Sequence, residues 1–248
     1  MPERRVALVT GGNHGIGAAT AAALQRGGFA VAVTYLRFEA PERDLPPEYH
    51  EARRNAPSVY DLKVEADLRD PATPAAVFDM VETALGPVSV LVNNASGWRK
   101  DSFAAGDVSV TAESVDAQFL VDARGGALCI AELARRHRER HDDWGRIISL
   151  TSGGPMGFPG EASYGAAKAA LENYTMTASR ELGRQGITAN VVYPPVTDTG
   201  WVTDDVRRFV EQSDEHWHVA PPEDVAEVIA WLCTPAADLV NGSIIRLR

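Results

Sequence analysis

The sequence predicts an α/β fold, a doubly wound parallel sheet in three layers, and three observations carry the prediction. Short β-branched runs alternate along the chain with longer, alanine-rich stretches of helical period. The strand-like runs are apolar throughout, as strands covered by helices on both faces must be. The 248 residues suffice for one large domain, and 45% hydrophobic residues suffice for its core.

VALV (6–9) reads as a buried strand and GIGAATAAALQRGG (15–28) as a helix closed by glycines. VAVTY (31–35), KVEAD (63–67) and VSVLVNNA (88–95) are the next strands, with helical segments around 72–85 and 112–138. RIISLTS (146–152) is a further strand, followed by a long helix over about 163–184. ITANVVYP (187–194) is a strand, EDVAEVIAWLC (223–233) a helix and GSIIRLR (242–248) a last short strand. Residues 38–58 break the alternation, because four prolines leave room only for a helix at about 48–55. No repeat or low-complexity tract divides the chain, so residues 1–248 are expected to form one domain.

Composition narrows the function. A net charge of -10 argues against a nucleic-acid partner, which would need a basic footprint. It does not exclude a small anionic cofactor, which a few local donors can hold. RRHRER at 135–140 reads as a solvated helix end. Cys129 and Cys233 lack metal-ligand spacing and read as reduced core thiols, which suits a cytoplasmic protein. HWH at 216–218 offers two histidines without a nearby third ligand, so no metal is expected. No apolar run approaches the roughly 18 residues that span a bilayer. The start of the chain is broken by glycines too early for a signal peptide, so no membrane partner is expected.

The stretch TGGNHGIG (10–17) carries the first chemical signal. Its glycines allow close backbone approach, its threonine is placed to cap, and the helix start offers unpaired N–H groups to a pyrophosphate. A plain glycine turn is the alternative; the position after the first strand favours the nucleotide. The second signal is YGAAK (164–168), where Tyr164 and Lys168 share one helix face. Ser152 ends a strand twelve residues upstream, so the three can converge at the carboxyl edge of the sheet, where α/β ligands bind. Only Lys63, Lys100 and Lys168 are lysines among 24 lysines and arginines. A compact ammonium fits beside a phenol and a ribose where a guanidinium fork would not.

TGGNHGIG, NNAS (93–96), Ser152 and the Tyr164/Lys168 pair resemble the short-chain dehydrogenase/reductase family in its single-domain form, over essentially the whole chain. NVVYPPVTDTGW (190–201) is similar to the family's segment that holds the nicotinamide carboxamide. The resemblance implies a Rossmann-type fold and hydride transfer between nicotinamide and a carbonyl or alcohol carbon. It makes Tyr164 the general acid–base and puts Ser152 on the substrate oxygen. Lys168 would hold the ribose and lower the tyrosine pKa.

The resemblance also implies a cofactor site built from Gly11, Asn13, His14, Gly15, Ile16 and Gly17. Asp67 and Leu68 would flank the adenine, Asn93 and Ala95 would line the cofactor, and Val196, Thr197 and Thr199 would meet the carboxamide and phosphate side. At the end of the second strand stand Tyr35 and Arg37 with no acid, which favours NADP(H) over NAD(H). A substrate lid is expected at about 197–220, with Trp201, Phe209 and Trp217 lining an apolar cleft. A homotetramer, or a dimer, through the alanine-rich long helices is implied.

Four departures from the family pattern matter. Ser96 replaces a glycine, Pro195 replaces another, and the Ser152-to-Tyr164 spacing is one residue short. Asp122 stands where the family has an asparagine that supports a water beside the lysine; it either keeps that relay or pairs with Lys168 directly.

Overall fold

The computed structural model describes residues 4–37, 51, 58–153, 157–214 and 216–248. Seven strands form one sheet: β1 (Val6–Val9), β2 (Ala30–Tyr35), β3 (Leu62–Glu65), β4 (Val88–Asn93), β5 (Gly145–Leu150), β6 (Ile187–Tyr193) and β7 (Ile244–Arg246). Their spatial order is β3-β2-β1-β4-β5-β6-β7, and every pairing is parallel. The order reverses between β1 and β4, which opens a crevice at their carboxyl ends.

Alternation within the strands divides the core in two. Val6 and Leu8 of β1 face one side, against helices α2 (Thr73–Leu85), α4 (Gly126–Arg140) and α5 (Ala162–Leu182). Ala7 and Val9 face the other, against α1 (Gly15–Arg26) and α7 (Pro222–Leu232). Burying each such valine or leucine stabilises the fold by about 1.5–3 kcal/mol. Ala19 and Ala23 of α1 meet Ala226 of α7, small residues that let these two helices approach closely. Cys129 and Cys233 are buried free thiols, and burial pushes both up to about 12.

Three expectations are corrected. The single helix expected over 112–138 is broken into α3 (Ala112–Gln118), a π-helical stretch (Phe119–Gly125) and α4. Hydrophobic period is blind to such a bulge, and the Gly125–Gly126 pair permits it. The strand at 63–67 ends at Glu65. Residues 204–211 form a helix, α6 (Asp204–Glu211), within the expected lid. Its start was written in the sequence: Thr203 accepts the Val206 N–H, and Asp204 and Asp205 occupy the first turn. The helix expected at about 48–55 lies, Glu51 apart, outside the described residues. Among the described residues no helix is long and apolar enough to cross a membrane.

Candidate active site

The glycine stretch runs from the end of β1 into α1. Gly11 and Gly15 have φ of 64° and 55°, where a side chain would be strained. The threonine read as a cap is not one. His14 is the N-cap of α1, in extended conformation and without a side-chain cap bond. Thr10 is buried and holds the NNAS segment: its Oγ1 accepts the Asn94 and Ala95 N–H groups at 3.0 and 3.1 Å. Asn94 returns two bonds, its Nδ2 donating to the Thr10 and Gly11 carbonyls at 2.9 and 3.0 Å.

Asn13, Ile16 and Ala95 are half-buried around this loop, and Gly17 is buried. Thr199 lies over it, for a methyl on Gly15 would come within 2.8 Å of Thr199 Cγ2. Thr197 is buried and Val196 half-buried beside it. A helix start with no side-chain cap, two left-handed glycines and a threonine closing over them fit a dinucleotide pyrophosphate. Asn93 is buried; its Nδ2 donates to Ser149 at 3.4 Å, while its Oδ1 is buried without a hydrogen-bond partner.

At the end of β2, Arg37 donates to the Tyr35 hydroxyl at 3.5 Å, and that hydroxyl donates to Glu65 Oε2 at 3.4 Å. Arg37 and Glu65 form an ion pair at 3.7 Å. The absence of an acid holds for β2 itself, but the parallel register sets Glu65 of β3 opposite Tyr35. Asp67 is gripped by Arg69 at 2.6 Å, which outweighs partial burial and holds its carboxyl below the usual range. Leu68 is buried in the core.

The chemical groups stand at the carboxyl ends of β4 and β5. Ser152 follows β5, and Tyr164 occupies the first turn of α5, its ring centroid 5.6 Å from Lys168 Nζ. Lys168 is fully buried and pairs with Asp122, also fully buried, at 2.8 Å. The π-helical stretch turns Asp122 inward, where Oδ2 accepts the Gly97 N–H at 2.8 Å and the Ser96 hydroxyl at 3.4 Å. Two of the departures from the family pattern, Ser96 and Asp122, therefore touch each other. Of the two roles open to Asp122, the direct pair with Lys168 is the one formed.

Burial works against the Lys168 charge, but Asp122 outweighs it and holds the ammonium above its ordinary value. Lys168 lowers the Tyr164 phenol as expected, but other influences outweigh it. Burial raises its phenol, and Asp122 and Glu161 raise it further, against the lowering influence of Lys168 and of a hydrogen bond with Ser152. The net direction is upward.

The two ends of the segment expected as a lid meet, since Thr197 and Ala220 pair as an isolated parallel bridge. Trp201 donates to the Thr197 carbonyl at 3.0 Å, and Trp201, Phe209 and Trp217 are all exposed. His216 lies 5.7 Å from the Phe209 ring, and among the described residues no group of three His, Cys, Asp or Glu is placed to hold a metal. Sequence reasoning missed Phe158, whose ring lies 6.0 Å from that of Tyr164, and the Trp98–Glu161 hydrogen bond of 2.8 Å beside it. No local pattern signals either.

Residues 11–247 match the family model described as enoyl-(acyl carrier protein) reductase. An uncharacterized oxidoreductase, YjdA, of Bacillus subtilis is 30% identical over 98% of this chain and 95% of its own length. The 3-oxoacyl-(acyl-carrier-protein) reductase MabA of Mycobacterium tuberculosis is 31% identical over 97% and 90%. A short chain dehydrogenase from Burkholderia cenocepacia, solved in complex with NADP, superposes with a TM-score of 0.81 at 29% identity, covering 99% of this chain and 96% of its own.

Proposed function

Because this chain belongs to the short-chain dehydrogenase/reductase family of oxidoreductases, we propose that it reduces a carbonyl substrate with NADPH. The observation that carries the reading is the convergence of Ser152, Tyr164 and the Lys168–Asp122 pair at one sheet edge. The NADP-bound relative supports the choice of cofactor, as does Arg37 at the end of β2.

The residues that would hold the cofactor are the Gly11–Gly17 loop, Tyr35 and Arg37, Asp67, Ala95 and the Val196–Thr199 segment. When bound, the cofactor supplies the hydride. The chain's own work is to orient the carbonyl and deliver a proton. Ser152 and Tyr164 lie side by side, so both hydroxyls can donate to one carbonyl oxygen. As charge develops on that oxygen, the Tyr164 phenol gives up its proton, and Lys168 stabilises the phenolate left behind. Burial, and after it Asp122, oppose that phenolate and raise the phenol, so the resting phenol stays protonated at neutral pH. That bias suits reduction over oxidation of an alcohol.

The test is NADPH oxidation with a panel of aldehydes, ketones, a 3-oxoacyl thioester and an enoyl thioester. Turnover of a carbonyl that Tyr164→Phe abolishes supports the proposal; turnover of the enoyl thioester alone sinks it. A second reading, a non-catalytic NADP-binding sensor, is favoured by one observation: Asp122 engages the ammonium that the chemistry would use. Binding of NADPH without turnover of any member of the panel would select it.

A further inference from the structure

Helix α5 carries Tyr164 as its third residue yet begins without a cap of its own, for Glu161 at the N-cap makes no side-chain cap bond. The acceptors come from the loop after β4. Asp101, fully buried, lies beside Glu161 in an isolated parallel bridge. Its carbonyl accepts the Ala162 N–H at 3.1 Å, and its Oδ1 accepts the Ser163 N–H at 2.9 Å. Its Oδ2 accepts the Ser114 hydroxyl at 2.7 Å. Ser114 is itself fixed in the first turn of α3 by a capping box with Thr111.

We propose that Asp101 is a positioning residue for the reaction: a cap delivered across 62 residues that fixes the first turn of α5, and with it the Tyr164 phenol, against Ser152 and Lys168. The inference rests on the reading of Tyr164 as the proton donor. A negative charge at a helix N-terminus is favourable, and its bonds to donors are charge-assisted. Burial opposes that charge, but the Ser114, Ser163 and Ala162 donors outweigh it and hold the carboxyl below its ordinary value. The same loop also holds Asp122 through the Gly97 N–H. One short segment, 97–101, therefore braces Tyr164 from above and the partner of Lys168 from the side.

Two substitutions separate positioning from mere stability. Asp101→Asn keeps an acceptor for the Ser163 N–H, while Ser114 can give its proton to the Thr111 carbonyl, already at 3.1 Å. Asp101→Ala removes the acceptor. A displaced proton donor predicts a fall in kcat of about 10–100-fold for Asp101→Ala, with carbonyl KM and NADPH Kd within about twofold. Asp101→Asn should restore kcat to within about threefold of the unmutated enzyme. Amide hydrogen exchange supplies a readout independent of turnover: Ser163 and Tyr164 should exchange at least about tenfold faster in Asp101→Ala only. The Tyr164 phenol, titrated by ultraviolet absorbance against a Tyr164→Phe reference, should move in that variant too.

Normal kcat with normal exchange in Asp101→Ala overturns the proposal. So does equal loss in both variants, which would assign Asp101 a charge role instead. If Asp101→Ala does not fold, Ser114→Ala, which leaves the aspartate but removes its anchor, should move the Tyr164 titration; no movement overturns the idea. Should Tyr164→Phe keep full turnover, the proposed function fails, while the exchange rates still decide whether Asp101 caps the helix.

Discussion

Two ion pairs, one at each end of the site, have the same chemistry in opposite surroundings. Arg37 and Glu65 stand 3.7 Å apart with side chains 77% and 44% exposed; Lys168 and Asp122 stand 2.8 Å apart at 3% and 0%. Water screens the first pair, which is therefore worth little and can be exchanged for an incoming anion. The second has no water to turn to, so either partner left alone would be a stranded charge. The end proposed to select the cofactor is adaptable, and the end proposed to transfer the proton is fixed.

The largest expected effect lies at the fixed end. Tyr164→Phe removes one hydroxyl and should lower carbonyl reduction by roughly 10²–10⁴-fold while leaving the fold and NADPH binding intact. Asp122→Ala comes next, because it strands the Lys168 ammonium; denaturant unfolding should show a loss of about 3–5 kcal/mol. The sign with pH is definite. The Lys168 value is raised in the fold, so its contribution is present at neutral pH and is lost as pH rises through that raised value. If Asp122→Ala proved as stable as the unmutated protein, the buried pair would be no more fixed than the exposed one.

Asp122→Asn is gentler, since an amide can still accept the Gly97 N–H. Activity should be retained, but the phenol loses the carboxylate that raises it and keeps the ammonium that lowers it. The alkaline decline in the rate of reduction should move to lower pH, and alcohol oxidation at neutral pH should rise. A profile that does not move would remove Asp122 from the control of Tyr164.

How far the sequence spoke differs between the two ends. Strand and helix identity came through because β-branched runs and alanine-rich segments report local conformation directly. Tyr164 and Lys168 were legible because helical spacing alone puts them on one face. Asp122 was visible as a departure, but its inward aim depends on a π-helical stretch that hydrophobic period does not encode. Glu65 was invisible as a partner of Arg37 until strand register set it opposite Tyr35. Thr10 misled because a threonine before a helix reads as a cap, whereas three residues intervene before the cap position itself. Asp101 caps a helix 62 residues away, and no local pattern can announce that.

The smallest predicted effects lie at the adaptable end and test it from both sides. Arg37 can turn from Glu65 to a ribose 2′-phosphate because the exposed pair holds it weakly. Arg37→Ala should weaken NADPH binding by about tenfold and leave NADH nearly unchanged, because only the phosphate needs the guanidinium. Glu65→Gln keeps the size and a hydrogen-bonding group but removes the charge that competes with the phosphate. NADPH affinity should then rise by about two- to fivefold, the span that an exposed pair commands. Both changes should shrink between low and physiological salt, as screening of exposed charges requires. Isothermal titration with NADPH and NADH at two ionic strengths measures all of this. Weaker NADPH binding in Glu65→Gln would mean that the carboxylate aims Arg37 at the phosphate instead of competing with it, and the outer pair would then be a fixed element like the inner one.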